Sequence, residues 1–344
     1  MNIFGIQFAP LNLPLRRRLQ TLSISLYISL MTILPISVWP VILYLILDTR
    51  YWLLPVLYLI WIWVIDKEVC EQGGRRLEWV RRCKIWKYCL EYFPISIIKN
   101  SEEVELDPKR NYLFCSFPHG LLSTGSAKVF GSSHSGFHEL FPKHTPYILT
   151  LKQNFLIPFF REYLLSMGAC AASVKSINFL MSKPEGGNAT LLVVGGAAES
   201  LYSKPGQYRL VLKNRKGFVK LALKNGSPLV PTFSFGETDI YNQVSTPKGS
   251  LLRRYQEWVK KITGITPIIP LGRGYFQYSF GLIPHRKPIN IIVGKPINAE
   301  KVEDPTQEQI DSLHSTFVKQ LTKLFEKHKH KYVEKPDETA LIID

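Results

Sequence analysis

The fold is organised around the stretch Tyr112-Leu113-Phe114-Cys115-Ser116-Phe117-Pro118-His119-Gly120. Its first six residues are mainly apolar or aromatic, which predicts a buried strand, and Pro118 and Gly120 end that strand and turn the chain. We therefore expect His119 at the carboxyl edge of a sheet, where open α/β sheets bind their ligands. An imidazole there can act as a base near neutral pH. A turn histidine with no chemical role is the alternative.

Composition limits the kinds of partner. The chain has 344 residues, of which 46% are hydrophobic, and a formal net charge of +16. That length and apolar content suffice for a large buried core, and the charge indicates an anionic partner such as a nucleic acid, acidic lipid headgroups or a phosphorylated molecule. The five cysteines include no Cys-x-x-Cys pair, which favours reduced thiols over disulfides or a zinc site.

The N-terminal part favours a membrane. No charged residue occurs from Leu19 to Leu47, a run longer than the ~20 residues with which a helix crosses a bilayer, and a second apolar run follows from Tyr51 to Ile65. Basic residues flank both outer ends, so the positive-inside rule predicts a transmembrane helical hairpin with both ends in the cytosol. A re-entrant hairpin is the close alternative. A cleaved signal peptide and a nucleic-acid-binding role both fit less well.

Beyond the hairpin, short apolar runs alternate with amphipathic stretches. This alternation predicts an α/β domain whose largely parallel sheet is flanked by helices. The expected segments are a cytosolic N-terminal segment (1–18), the hairpin (19–66), a basic juxtamembrane segment (67–106), the α/β domain (107–333) and a polar tail (334–344). The predicted strands are Asn111 to Phe117, Pro146 to Leu151, Ala189 to Val194, Tyr208 to Leu212, Leu229 to Phe235 and Ile289 to Val293.

Three further stretches carry candidate chemistry. A predicted strand ends in Gly195-Gly196, and Glu199 follows, so this carboxylate can lie at the same sheet edge as His119. The stretch Lys213-Asn214-Arg215-Lys216-Gly217-Phe218 precedes a helical pattern and could bind an anion. Glu237 ends another predicted strand and is a weaker candidate. Structural alternatives are a turn glutamate in the first case and a solvated basic face in the second.

Together these motifs resemble the type 2 diacylglycerol acyltransferase family, which includes the monoacylglycerol and wax-alcohol acyltransferases. One departure concerns Phe117, because animal members usually have His-Pro-His-Gly where this chain has Phe-Pro-His-Gly. The resemblance covers nearly the whole chain through Gly74-Arg75-Arg76, Pro118-His119-Gly120, Gly195-Gly196-Ala197-Ala198-Glu199-Ser200-Leu201, Asn214-Arg215-Lys216-Gly217-Phe218-Val219-Lys220-Leu221-Ala222, Phe235-Gly236-Glu237, Gly272-Arg273-Gly274 and Val293-Gly294-Lys295-Pro296-Ile297.

The resemblance implies transfer of a fatty acyl group from coenzyme A to the hydroxyl of diacylglycerol, with a monoacylglycerol or a long-chain alcohol as alternative acceptors. His119 is the expected base and Glu199 the acid expected to orient its ring. Backbone N–H groups of Gly120 or of Gly195-Gly196 would face the developing oxyanion. Residues expected to bind substrate are Phe117, Pro118, Gly120, Gly195, Gly196, Asn214, Arg215, Lys216, Gly217 and Phe218, with Arg215 and Lys216 on the coenzyme A phosphates.

The remaining expectations concern surroundings. The resemblance implies an endoplasmic reticulum membrane protein with its catalytic domain facing the cytosol, also found on lipid droplets, and it allows a homo-oligomer. We expect no cofactor other than acyl-CoA as substrate, and no metal, although His134 and His138 are four residues apart. A lipid-binding membrane protein that has lost catalysis is the non-enzymatic alternative, suggested by Phe117.

Overall fold

The computed structural model describes residues 2–10, 12–102, 104–244, 246–247, 249–264 and 266–344. The helices are α1 (Leu15–Thr32), α2 (Leu34–Asp48), α3 (Leu53–Ile60), α4 (Glu78–Arg81), α5 (Lys84–Tyr92), α6 (Thr124–Gly131), α7 (Phe137–Leu140), α8 (Phe160–Ser166), α9 (Val174–Met181), α10 (Ala197–Ser200), α11 (Gly217–Asn225), α12 (Leu251–Thr263) and α13 (Gln307–Tyr332). The strands are β1 (Asn2–Ile3), β2 (Ile6–Gln7), β3 (Ile95–Lys99), β4 (Tyr112–Phe117), β5 (Thr145–Thr150), β6 (Ala169–Ala171), β7 (Asn188–Val193), β8 (Tyr208–Leu210), β9 (Leu229–Phe235), β10 (Asn242–Gln243), β11 (Pro270–Leu271), β12 (Ile289–Val293) and β13 (Leu341–Ile343).

A seven-stranded sheet in the order β3-β12-β9-β4-β7-β5-β6 forms the centre of the fold. Its strand pairs are parallel except for β12 with β9, so the predicted α/β class with a largely parallel sheet is confirmed. The strand β4 lies in the middle, and all six of its residues are buried. Parallel strands that are buried on both faces have continuous apolar sequences, and for this reason the sequence alone predicts β4.

Side chains of β4 alternate between the two faces of the sheet. Leu113, Cys115 and Phe117 join a core that includes residues of α11 and α13. Tyr112 and Phe114 join the core on the other face, which includes residues of α1, α5 and α6. His119 comes two residues after Phe117, just beyond the carboxyl end of β4.

The N-terminal helices differ from the expected hairpin of two continuous spans. The first apolar run divides into α1 and α2, which meet at a bend of 61°. No described helix is by itself long and apolar enough to cross a bilayer, and this bent pair meets the criterion only in combination. One face of α1 packs on the α/β domain, where Ile24 is fully buried and the Ser23 hydroxyl donates to the carbonyl of Ile85. The second run forms α3 and a π-helical turn, Trp61–Ile65.

The C-terminal part contains a long helix and a short strand. The helix α13 begins after Thr306, which forms a capping box with Gln309. The predicted polar tail contains β13, which pairs in parallel with β8 in a separate two-stranded sheet. The strand predicted from Tyr208 to Leu212 therefore does not belong to the main sheet. Sequence reasoning also missed β3 and β6.

Candidate active site

His119 lies just beyond the carboxyl end of β4 and is half-buried. Gly120 follows with a φ of +61°, in the left-handed region that favours glycine. A Cβ atom at Gly120 would lie 2.8 Å from Cγ and 2.9 Å from the backbone oxygen of Glu237. The sharp turn that presents the imidazole therefore depends on glycine both for its conformation and for the space beside Glu237.

Two neighbours hold one nitrogen of the imidazole. Nδ1 of His119 lies 3.2 Å from the carbonyl oxygen of Gly120 and 3.0 Å from Oγ of Ser200. Because a carbonyl can only accept, the contact with Gly120 requires the proton on Nδ1, which leaves the lone pair on Nε2. Nε2 has no hydrogen-bond partner within the part of the chain that the structure describes. This tautomer is the one that a general base needs.

The carboxylate of Glu199 contacts the main chain of His119 and not its ring. Its Oε2 accepts from the backbone N–H of His119 at 2.8 Å, and its Oε1 accepts from the backbone N–H of Val211 at 2.9 Å. Glu199 therefore does not contact the imidazole in the way expected from the sequence. The side chain that contacts Nδ1 of His119 is Ser200. Gly195 is required beside the carboxylate, since a Cβ there would lie 1.9 Å from Cδ of Glu199.

A second buried carboxylate holds the other end of the same loop. Glu237 accepts from the backbone N–H groups of Thr124 at 2.6 Å and Gly125 at 2.8 Å, at the start of α6. The side chains of Glu199 and Glu237 are 2% and 1% exposed. The loop between β4 and α6 is thus fixed at both ends by carboxylates that bind backbone amides, an arrangement that limits movement of His119.

Burial governs the ionisation of these groups. Burial lowers the pKa of His119, against a smaller raising effect of the Gly120 carbonyl, so the ring is neutral at neutral pH. Burial raises the pKa of Glu199 to about 7 and that of Glu237 to about 7, despite the backbone N–H groups that favour their ionised forms. The charge of Arg215 also acts to lower the pKa of Glu199, which places this arginine within electrostatic reach of the site.

The basic stretch before α11 is only partly open to a ligand. Asn214, Arg215 and Gly217 are exposed. Lys216 forms an ion pair with Asp311, with Nζ 2.7 Å from Oδ1. Phe218 is 4% exposed and belongs to the core, so its side chain is not open to a ligand here, and its expected role in substrate binding stays a prediction.

Phe117 also belongs to the core. Its side chain is fully buried, and its ring centroid lies 6.2 Å from that of Phe317. The side chain at position 117 is therefore not exposed to a ligand, and its expected role in substrate binding stays a prediction. Pro118 is buried as well, and Gly120, Gly195 and Gly196 contribute backbone only.

The residues that sequence reasoning undervalued are Ser200 and Glu237. Ser200 directly follows Glu199 in the sequence, and Glu237 ends a strand at the same sheet edge, so their positions in the sequence could have identified both.

Within the described residues, no three His, Cys, Asp or Glu side chains form a group that could hold a metal ion. The ring of His134 instead donates from Nε2 to the carbonyl oxygen of Arg82 at 2.9 Å.

Comparison with known proteins identifies the family of this chain. A model of the diacylglycerol acyltransferase family matches residues 44–344. The 2-acylglycerol O-acyltransferase 1 of Bos taurus is 46% identical over 98% of this chain and 99% of that protein. Diacylglycerol O-acyltransferase 2 of Homo sapiens is 43% identical over 92% of this chain and 80% of that protein.

One solved structure is also similar. The crystal structure of the 1-acyl-sn-glycerophosphate (LPA) acyltransferase PlsC from Thermotoga maritima covers 93% of this chain and 98% of its own, with a TM-score of 0.43 and 11% identity. That likeness is too low to carry an argument. The family model and the identities suffice: the chain is an acyltransferase of the diacylglycerol acyltransferase family.

Proposed function

We propose that this protein transfers a fatty acyl group from acyl-CoA to the free hydroxyl of diacylglycerol, giving triacylglycerol and coenzyme A. The observation that carries the proposal is the imidazole of His119, whose Nδ1 is held by Gly120 and Ser200 while Nε2 stays open. Family membership supplies the reaction class, and the site supplies a base positioned for it.

An alcohol is a weak nucleophile and needs a base as it attacks the thioester carbonyl. In the proposed reaction, Nε2 of His119 takes the hydroxyl proton while the oxygen bonds to the acyl carbon. The C–S bond then breaks, the acyl group stays on the acceptor, and the imidazolium returns its proton to the coenzyme A thiolate. The N–H groups of Gly120, Gly195 and Gly196 have no protein acceptor among the described residues and could stabilise the tetrahedral oxyanion.

Arg215 is exposed and its charge acts to lower the pKa of Glu199, so its guanidinium suits the phosphates of a coenzyme A bound at this site. Lys216 would have to leave Asp311 to assist it. Glu199 acts as a positioning residue in this proposal, through the backbone of His119. The reaction as written needs no metal and no cofactor besides its acyl-CoA substrate.

The acceptor has a second candidate. The 2-acylglycerol O-acyltransferase 1 of Bos taurus is somewhat more similar to this chain than diacylglycerol O-acyltransferase 2 of Homo sapiens, so a monoacylglycerol is a competing acceptor. Membranes that contain the protein are given labelled acyl-CoA together with equal amounts of diacylglycerol and 2-monoacylglycerol. Triacylglycerol as the main product formed from added diacylglycerol supports the proposal, and product formed only from monoacylglycerol contradicts it.

The catalytic role is tested by His119→Ala. We expect activity to fall at least ~10²-fold, the usual contribution of a positioned base. His330→Ala removes an exposed histidine from α13 and serves as the matched control. Full activity of His119→Ala at normal expression would remove His119 from the mechanism, and inactivity of the unaltered protein with every acceptor would favour a non-catalytic lipid-binding protein.

We also propose that the bilayer is a partner, and that the chain resides in the endoplasmic reticulum membrane and on lipid droplets with its α/β domain facing the cytosol. The helices α2 and α3 expose a continuous apolar surface, and α12 exposes Leu251, Tyr255, Trp258 and Ile262 along one stripe. Acyl chains of both substrates would reach His119 from that side. A homo-oligomer is compatible with this arrangement.

The hairpin formed by α2 and α3 is short for a span. With 15 residues, α2 reaches only ~22 Å, compared with the ~30 Å of a hydrocarbon core. We therefore propose a re-entrant hairpin whose tip at Thr49 stays inside the membrane. When an impermeant maleimide is enclosed in the lumen of sealed microsomes, Thr49→Cys in a Cys83→Ser background should resist it, whereas labelling from the lumen would show a full span.

A further inference from the structure

A large cavity lies apart from the candidate active site, between the N-terminal segment and the segment around 273–287. Its volume is about 1130 Å³, and none of the candidate active-site residues lines it. One wall is formed by Arg17 and Thr21 in the first turns of α1. The other is tied to the N-terminus by main-chain hydrogen bonds from Ala9 to Phe276 at 2.8 Å and from Tyr278 to Gln7 at 2.8 Å.

Two arginine side chains in this wall are positioned by neutral partners. Nε of Arg273 donates to the hydroxyl of Tyr92 at 2.9 Å, and one terminal nitrogen donates to the hydroxyl of Thr21 at 3.2 Å. Arg286 donates to Oε1 of Gln20 at 2.6 Å and lies over the Tyr92 ring, 4.2 Å from its centroid. Arg273 is 8% exposed. Neither guanidinium has a carboxylate partner among the described residues.

The charge of the cavity is therefore unbalanced. Its lining includes Arg17, Arg273, Arg286 and Lys287 and, among the described residues, no aspartate or glutamate. Lys287 reaches only Glu334, at 3.7 Å, and that carboxylate side chain is 92% exposed. Burial, and then the charges of Arg17 and Arg273, lower the pKa of Arg286 to about 10. An anion bound between the guanidinium groups would offset the repulsion among Arg17, Arg273 and Arg286.

The rim of the cavity is apolar. Phe276 lines it and is 74% exposed, and the adjoining Phe280 and Leu282 are 58% and 54% exposed. Exposed aromatic side chains next to cationic ones are typical of surfaces that sit at the bilayer interface. A free phosphate would use only the cationic floor, whereas a phospholipid would use the floor and the rim together.

We propose that this cavity binds the phosphate group of an anionic glycerophospholipid, at a site separate from the site of acyl transfer. The planar forks of Arg273 and Arg286 match phosphate oxygens and are already held in place, so little side-chain entropy is lost on binding. The volume admits a headgroup and the first part of its acyl chains. The bound lipid would bridge α1 and the 273–287 segment and fix the α/β domain against the membrane.

The test measures binding and does not depend on activity. Purified full-length protein in detergent is titrated with dioctanoyl phosphatidic acid, dioctanoyl phosphatidylcholine, inorganic phosphate and coenzyme A, with calorimetric detection. We expect saturable binding of phosphatidic acid that weakens at least tenfold in Arg286→Gln and severalfold in Arg17→Gln. Lys319→Gln, which removes an exposed charge from α13, should bind like the unaltered protein.

Several outcomes would overturn the proposal. Equal affinity of Arg286→Gln and the unaltered protein would do so, as would equal binding of phosphatidylcholine. Binding of inorganic phosphate or coenzyme A as tight as that of phosphatidic acid, with the same dependence on Arg286, would assign the cavity to a free phosphate group instead of a lipid. If Arg286→Gln does not fold, Arg17→Gln decides, because its side chain is exposed and its loss removes little packing.

Discussion

Glu199 and His119 are joined through the main chain, with Oε2 of the carboxylate 2.8 Å from the backbone nitrogen of the histidine. The imidazole instead lies 3.0 Å from the hydroxyl of Ser200. Position and orientation of the base are thus controlled by two adjacent residues. Glu199 determines where the backbone of His119 lies, and Ser200 helps to determine how its ring is turned.

Glu199→Gln tests the first of these roles. A glutamine amide can accept from only one of the two N–H groups that Glu199 binds, because its NH₂ group faces the other as a second donor. We expect kcat to fall roughly 10-fold or more, with KM for acyl-CoA little changed, and a lower unfolding temperature. Glu185→Gln, at an exposed position, is the control. Turnover and stability equal to those of the unaltered protein would reject the role.

Ser200→Ala tests the second role. The variant removes one of the two contacts at Nδ1 and leaves that of Gly120, so kcat should fall by roughly 2- to 10-fold, corresponding to ~0.5–1.5 kcal/mol for one hydrogen bond. KM should not change. Ser203→Ala is a close control, because Ser203 is also buried and its hydroxyl has no hydrogen-bond partner among the residues that the structure describes. Equal loss in both variants would show a packing effect instead of a contact with the ring.

The sequence was sufficient to place His119, because a buried strand that ends in proline and glycine is a local pattern. The orientation of the His119 ring, however, depends on residues that are distant in the sequence. Ser200 and Glu199 are about 80 positions away along the chain, and which of them meets Nδ1 depends on the turn at Gly196. The same reason explains Phe117, whose burial follows from the alternation along β4 once the sheet is covered on both faces.

The least predictable parts were those with non-local partners. The short strand β13 forms only because β8 lies alongside it, and three residues in a polar tail carry no pattern of their own. In α1, Gln20, Thr21 and Ser23 are buried against the α/β domain, and an absence of charged residues was interpreted as a membrane span. The polar side chains on one face of α1 could have indicated that this face packs on protein and not on lipid.

Gly120→Ala should be severe for a steric reason. The alanine would need an unfavourable positive φ and would place Cβ 2.9 Å from the backbone oxygen of Glu237, which cannot rotate away. We expect loss of acyl transfer and a stability cost of about 2 kcal/mol or more. Gly206→Ala provides the comparison, since Gly206 has a φ of +70° and open space around it. Similar costs for the two variants would mean that the contact with Glu237 is unimportant.

Phe117→His tests whether the departure from His-Pro-His-Gly matters for catalysis. The structure predicts no gain in activity, because the side chain at position 117 is fully buried in the core next to Phe317. An imidazole there would lose apolar contacts and lack a partner, at a cost of roughly 2–4 kcal/mol in unfolding free energy. Phe117→Leu should retain turnover. Higher kcat in Phe117→His, measured on folded protein, would contradict the placement of residue 117.

The raised pKa of Glu237 predicts how stability depends on pH. A carboxyl group whose pKa is about 7 when folded and near 4.5 when unfolded stabilises the protein fully below pH 4.5, and this contribution is lost as the pH rises through 7. Between pH 8 and pH 6 the group should add about 1 kcal/mol, or roughly 2 °C in unfolding temperature. Glu237→Gln cannot titrate, so the unaltered protein should gain stability relative to this variant as the pH falls. Glu185→Gln should keep the slope of the unaltered protein. A difference between the unaltered protein and Glu237→Gln that stays constant from pH 8 to pH 6 would show that burial does not hold this carboxyl near neutrality.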